Sequence, residues 1–217
     1  MNQIHAYYHE LLALYGPQGW WPLTGSTVIA PAAGDHRGYH PLEYDLPDTP
    51  EQIFEICLGA ILTQSVSWIS VEKALQNLRD QDALRPERLK TLSDEELAAA
   101  IRPAGYFNQK ARKLRIFTDF FSALAGRTPS REELLGLWGI GPETADSILL
   151  YAFKVPTFVV DAYTRRLFTS LGILSGRESY VEIKAIFERH LPRDRVLFQE
   201  YHALIVEHAK RLRGRRG

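Results

Sequence analysis

The stretch LWGIGPETADSILLYAFKVPTFVVDAYTRRL, Leu137 to Leu167, decides how the rest of the chain is read. Leu134, Leu135, Leu137 and Trp138 give an apolar face to one helix. Ala145, Ile148, Leu149, Ala152 and Phe153 recur at helical spacing in a second. Only Gly139-Ile140-Gly141-Pro142 joins them. Glycine accepts a positive φ and a close approach, proline suits the first position of the next helix, and Ile140 plugs the gap between the two. A bare glycine-rich turn feeding a helix N-terminus presents main-chain N–H groups and the positive end of the helix dipole, a setting that takes a phosphate. Pro156 stops the second helix. After TFVV, the best strand candidate in the chain, Asp161 stands where a further helix begins, twenty residues beyond Gly141. An aspartate there is a good N-cap. Beside a bound phosphate it would also aim a carboxylate at a sugar of the same nucleic acid.

Working outward, nearly every stretch after Pro50 reads as helix. Ile53, Ile56, Cys57, Ala60 and Ile61 recur at helical spacing while Phe54, Leu58 and Leu62 fill the other faces, which marks a helix buried almost all round. Val71, Ala74, Leu75 and Leu78 form a second stripe, and Leu114, Phe117, Phe120, Phe121 and Leu124 a third. Ser93…Glu96, Ser130…Glu133 and Ser179…Glu182 have the spacing of capping boxes, and Gly172 ends a helix. The fold class is all-α. Residues 23–50, rich in proline and glycine and without helical periodicity, join a helix at Ile4–Tyr15 to the rest as a linker or functional loop.

Length allows one domain or two small ones, and no apolar run reaches the length of a membrane span. Neither Tyr7, Tyr8, His9 and Glu10 nor their neighbours read as a secretion signal. A single cysteine, Cys57, leaves no disulfide and no four-cysteine metal site within the chain. The expected location is the cytoplasm, with the nucleoid if the source is bacterial. Net charge is zero, but Arg102, Lys110, Arg112, Lys113, Arg115 and Arg127 face only Asp119 within their stretch, and the end KRLRGRRG is basic. A neutral chain with such a distribution is expected to show a positive face.

The hairpin, loop and aspartate together resemble those of the endonuclease III-like helix–hairpin–helix DNA glycosylases. GAILTQSVSW (Gly59–Trp68) and RPAGYFNQKARKL (Arg102–Leu114) extend the similarity upstream, so that it runs in order from Ile53 to Gly172. The resemblance implies two helical lobes with a cleft between them: a central lobe over 51–160 carrying the hairpin, and a second formed by 1–50 with 161–217. It implies that Gly139, Ile140 and Gly141 grip a phosphate, with a monovalent cation nearby. Lys110 is then a DNA contact, Gln64 fills the gap left by a flipped base, and Asp161 is the catalytic carboxylate. Bifunctional relatives carry a lysine two residues after the second glycine; here that residue is Glu143, which cannot form an imine, so lyase activity is not expected. Relatives with an iron–sulfur cluster bind it through C-terminal cysteines that this chain lacks.

GWWPL (Gly19–Leu23) and Trp68 resemble pocket residues of the 3-methyladenine DNA glycosylase branch. Trp21 and Trp68, with Pro22 and Glu143, are then expected to hold a flipped alkylated purine, whose positive charge favours stacking on indole, and Trp20 is expected in the core. The implied protein is a monofunctional alkylbase glycosylase, a monomer acting on damaged duplex DNA with no resident cofactor. Two alternatives stand: a mismatch thymine or uracil glycosylase, and a non-catalytic helix–hairpin–helix module that binds distorted DNA.

Overall fold

The computed structural model describes residues 3–24 and 39–214. Its helices are α1 (Gln3–Tyr15), α2 (Pro50–Leu62), α3 (Trp68–Asp80), α4 (Pro86–Thr91), α5 (Asp94–Ala100), α6 (Phe107–Leu124), α7 (Arg131–Leu135), α8 (Pro142–Ser147), α9 (Ala162–Ser170), α10 (Tyr180–His190) and α11 (Arg195–Gly214). The fold is all-α, and no strand occurs among the described residues. Half of the loop expected at 23–50, residues 25–38, and the last residues of the basic tail lie outside the described residues.

All three Ser-x-x-Glu signals form closed capping boxes, at the N-termini of α5, α7 and α10. In each, the serine hydroxyl accepts from the glutamate N–H while the glutamate carboxylate accepts from the serine N–H, a reciprocal arrangement worth about 1 kcal/mol. TFVV, by contrast, is buried without being a strand. Two of its amides go to side chains: Phe158 N–H donates to Glu188 Oε1 at 2.9 Å and Val160 N–H to the Tyr180 hydroxyl at 3.4 Å. Buried main-chain groups must be satisfied somehow, and here α10 does it.

The chain divides into two compact units. One takes its described residues from Met1–Pro22, Thr27–Tyr44 and Lys154–Gly217, the other from Leu23–Ser26 and Asp45–Phe153. The division thus falls after Phe153, not after residue 160, because buried Phe158 stacks on Phe187 of α10 with ring centroids 4.3 Å apart. In the first unit α1, α9 and α10 pack around α11, whose Phe198 and Tyr201 meet Phe158, Phe168 and Phe187. The Tyr201 hydroxyl donates to the Ile4 carbonyl at 2.7 Å, tying the first helix to the last.

In the second unit α2 is the central helix. Every residue from Phe54 to Leu62 is buried, including the lone Cys57. The helix packs on α3, on α6 and on the continuation of α8. That continuation, Ile148–Ala152, is a turn of π-helix in which Phe153 N–H reaches back to the Ile148 carbonyl at 3.2 Å. The sequence stripe predicted a regular helix there. The wider turn keeps all five of its residues buried against the core.

Candidate active site

The hairpin belongs to the second unit. Its first helix is shorter than the sequence suggested: α7 ends at Leu135, Leu134 alone is buried, and Trp138 is 46% exposed with the Arg112 guanidinium 4.3 Å above its ring. The turn is closed by Ile140 N–H donating to the Leu137 carbonyl at 3.1 Å, and Ile140 is buried. Gly139 sits at φ +84°, where a Cβ would also come within 2.5 Å of the Lys113 side chain. Gly141 differs. It is extended, with φ −93°, and a Cβ there would meet nothing within 4 Å, so its contribution is an unobstructed N-cap at the start of α8. A half-buried ion pair fixes the two helices: Arg131 donates twice to buried Asp146, at 2.8 and 3.2 Å.

Gln64 is held on this turn. Its Nε2 donates to the Gly139 carbonyl at 3.1 Å and to the Thr144 hydroxyl at 3.0 Å, and its Oε1 accepts from Lys113. Trp68 opens α3 nearby in sequence and is half-buried. Glu143 lies in the first turn of α8 and is exposed.

Lys110 corrects the sequence reading. It is not a surface contact for DNA: its side chain is buried, and Nζ donates to the carbonyls of Leu62, Gln64 and Ala104 at 2.7, 2.9 and 2.8 Å. Burial, assisted by the charge of Lys113, pushes its pKa down to about 8. It therefore caps the C-terminal end of α2, where carbonyls lack helical partners, and fixes the turn that carries Gln64. Two more cations of the expected positive face are paired within the chain, Arg115 half-buried and Arg127 on the surface. Arg115 serves Asp94 and the carbonyls of Leu89 and Leu92, and Arg127 pairs with Glu133. Arg102 and Arg112 remain exposed, over the rings of Phe107 and Trp138.

Asp161, Trp21 and Pro22 belong to the first unit. Asp161 is the N-cap of α9, as its position suggested: Oδ1 accepts from Thr164 N–H at 2.7 Å and from the Thr164 hydroxyl at 2.8 Å. Its other oxygen, Oδ2, lies 3.6 Å from His202 Nε2 on α11. Burial raises the Asp161 pKa, but the His202 neighbour and the Thr164 donors outweigh it and leave the group below its ordinary value. The carboxylate is thus held ionised in a buried place.

The paired tryptophans are ordered by exposure in the opposite way to the expectation. Trp21 is the packed ring, 6% exposed, and Pro22 is buried with it; Trp20 is half-buried. Trp20 stands edge-on to the His202 ring at 5.7 Å, which brings it beside the Asp161 partner. The loop that carries them is held by Glu200, whose two oxygens accept from Gln18 N–H at 2.7 Å and Gly19 N–H at 2.8 Å. Gly19 has φ +58°, and a Cβ there would fall 2.1 Å from the His40 carbonyl oxygen, so no other residue fits. His40 in turn bonds the Trp21 carbonyl at 2.7 Å. Sequence reading missed Glu200, His202 and His40. The run EYH on an amphipathic helix carries no spacing that distinguishes it from ordinary core.

A glycine hairpin locked by side chains in one unit, and in the other a buried, ionised aspartate capping a helix next to a tryptophan pair, define a class of helix–hairpin–helix DNA repair proteins. Comparison with known proteins agrees. Residues 58–193 match the model of the HhH-GPD superfamily of base excision DNA repair proteins, and the chain belongs to that family. It is 40% identical, over 97% of its length and 88% of the relative's, to a DNA repair glycosylase of Methanocaldococcus jannaschii whose name marks the assignment as provisional. Identity to the endonuclease III of Sulfolobus acidocaldarius is 28%, over 73% of each chain. Among solved structures, the 3-methyladenine DNA glycosylase of H. pylori bound to 1,N6-ethenoadenine superposes with a TM-score of 0.65 at 30% identity, covering 73% of this chain and 85% of that one. An endonuclease III trapped covalently on DNA superposes with a TM-score of 0.70 at 19% identity, covering 93% and 85%, which speaks for the fold alone. The chain is a base excision DNA glycosylase, and its partner is DNA. No helix among the described residues is long and apolar enough to cross a membrane.

Proposed function

We propose that the protein is a monofunctional glycosylase that releases alkylated purines such as 3-methyladenine from duplex DNA. The carrying observation is the pairing of a glutamate at position 143, where an imine-forming amine would be needed, with an aspartate held ionised and buried at the head of α9. In this reading Asp161 Oδ2 stabilises the oxocarbenium-like sugar as the N-glycosidic bond breaks, or orients the water that captures it. A cationic alkylated base is already a good leaving group, so no strong general acid is required.

The lysines around the hairpin support the absence of a lyase step. Lys110 is buried with its ammonium on three carbonyls, and Lys113 is engaged by Gln64. Gly139, Ile140 and Gly141 would grip a phosphate, and Gln64 would enter the gap left by the flipped base. A monovalent cation at this turn would be held by main-chain carbonyls. Those of Leu137, Gly139 and Gly141 each accept one hydrogen bond, and a carbonyl oxygen has a second lone pair to offer. A four-thiolate cluster does not fit a chain whose single cysteine lies inside α2. Trp68 and Glu143 in one unit, and in the other Trp21 and Pro22 with half-buried Trp20, are each proposed as contacts for the flipped base.

The test is base release from duplexes carrying 3-methyladenine, thymine or uracil mismatches, and an undamaged control, with and without alkali. Release of 3-methyladenine, with strand breaks only after alkali, supports the reading. Breaks without alkali, or a borohydride-trapped protein–DNA adduct, would reject the monofunctional assignment. Preference for a mismatched pyrimidine would reject the substrate class.

A further inference from the structure

Asp161 divides its two oxygens. Oδ1 is consumed by Thr164, which donates both its N–H and its hydroxyl, so the helix cap leaves Oδ2 as the oxygen able to serve the sugar. The group that faces Oδ2 is the His202 imidazole, 3.6 Å away and buried like the aspartate itself. That separation is just beyond a direct hydrogen bond and matches a contact that closes by a small shift. His202 is in turn fixed: Trp20 stands edge-on to its ring, and the Trp20 loop is pinned to the same helix by Glu200 through the amides of Gln18 and Gly19.

Resting on the glycosylase reading, we propose that His202 is the positioning residue of Asp161: it aims Oδ2 and keeps it ionised, and through Trp20 it couples that carboxylate to the wall of the base pocket. Other charged and titratable groups of the surrounding elements have partners of their own, among them Arg166 over the Tyr163 ring and the Tyr180 hydroxyl on Val160 N–H. On α11, Glu200 faces the Gln18 and Gly19 amides and Tyr44. On α10, Glu188 faces the Phe158 amide and Lys184. On α1, Tyr7 bonds His208, and on α9 Arg165 bonds the Glu178 carbonyl. Burial alone would push the Asp161 carboxyl up, so without the imidazole the acid that must be ionised for catalysis would protonate at a higher pH.

The experiment compares wild type, His202→Gln and His202→Phe by single-turnover base release against pH, lesion-duplex affinity, and the ¹³Cγ titration of Asp161. Loss of aim in His202→Phe is expected to slow release roughly tenfold at neutral pH with duplex affinity unchanged. The acid limb of the rate and the Asp161 titration should both move up by about one pH unit. His202→Gln, which keeps a donor, should recover most of the neutral rate and less of the shift in the acid limb. Rates within twofold of wild type in both variants, with the acid limb unmoved, would overturn the proposal. Should His202→Phe fail to fold, the Gln variant and the Asp161 titration still decide. If wild type itself releases no base, the glycosylase reading has failed, and the ¹³Cγ titration still shows whether the imidazole controls the carboxylate.

Discussion

The hairpin and the Asp161 site are built by opposite means. The hairpin has main chain at its turn, and side chains from its own unit lock it: Arg131 on Asp146, Gln64 on Gly139, Lys110 under the turn that bears Gln64. The Asp161 site presents a side chain, and what holds it comes from segments far apart in sequence: Thr164 beside it, His202 on the last long helix, Trp20 near the first. A main-chain site tolerates replacement of most side chains and depends on a few conformations. A side-chain site fails at one atom. Binding and chemistry should therefore be separable by mutation.

The largest effect is expected at Asp161. Asp161→Asn keeps a cap for α9 but loses the charge, and single-turnover base release should fall about a thousand-fold, with lesion-duplex affinity within a few-fold of wild type. Equal loss of affinity and rate would erase the contrast between the two sites. Next is Lys110→Met, which strands three buried carbonyls. A loss of about 3 kcal/mol in a denaturant titration is expected, with loss of duplex binding because the Gln64 turn loses its floor.

Gly139→Ala is a smaller and purely conformational test. Forcing a Cβ into φ +84° costs about 1–2 kcal/mol, which should weaken duplex affinity roughly tenfold while the bound complex still releases base at the normal rate. A change in rate with affinity intact would show that the hairpin also takes part in chemistry. Comparable in size, but confined to one pH window, is the effect of Glu55 in α2, which accepts from Thr24 N–H and whose pKa burial raises from 4.5 to about 6. Between those values the folded state binds more protons than the unfolded one. Its contribution to stability is full below pH 4.5 and is lost as pH rises through 6, a change of about 2 kcal/mol. Glu55→Gln should flatten that part of the stability profile, measured by thermal denaturation at several pH values.

Local signals were legible in the sequence. The three capping boxes, the stripe Val71, Ala74, Leu75 and Leu78, and Asp161 as an N-cap all depend on residues within one or two turns of each other, and each stands where the spacing put it. What escaped depends on tertiary partners. TFVV has strand composition, but no strand occurs among the described residues to pair with it, and Glu188 and Tyr180 take the amides of Phe158 and Val160 instead. A run of six cations looked like a surface until the fold turned Lys110 inward and set Arg115 on the carbonyls of Leu89 and Leu92, leaving Arg127 exposed in a pair with Glu133. Exposure decided the tryptophan pair, and nothing local to GWWPL distinguishes its first ring from its second. His202 could not be found at all, because its importance lies in a contact across forty-one residues.

The lone cysteine has an experimental use of its own. Cys57 is enclosed in α2, and burial raises its thiol well above the ordinary range, so it offers no nucleophile while that helix stays packed. A thiol reagent can then modify only molecules in which the centre of this unit has opened. With no second sulfhydryl to confuse the signal, labelling kinetics would time the breathing of the hairpin-bearing unit by itself, with or without DNA on it.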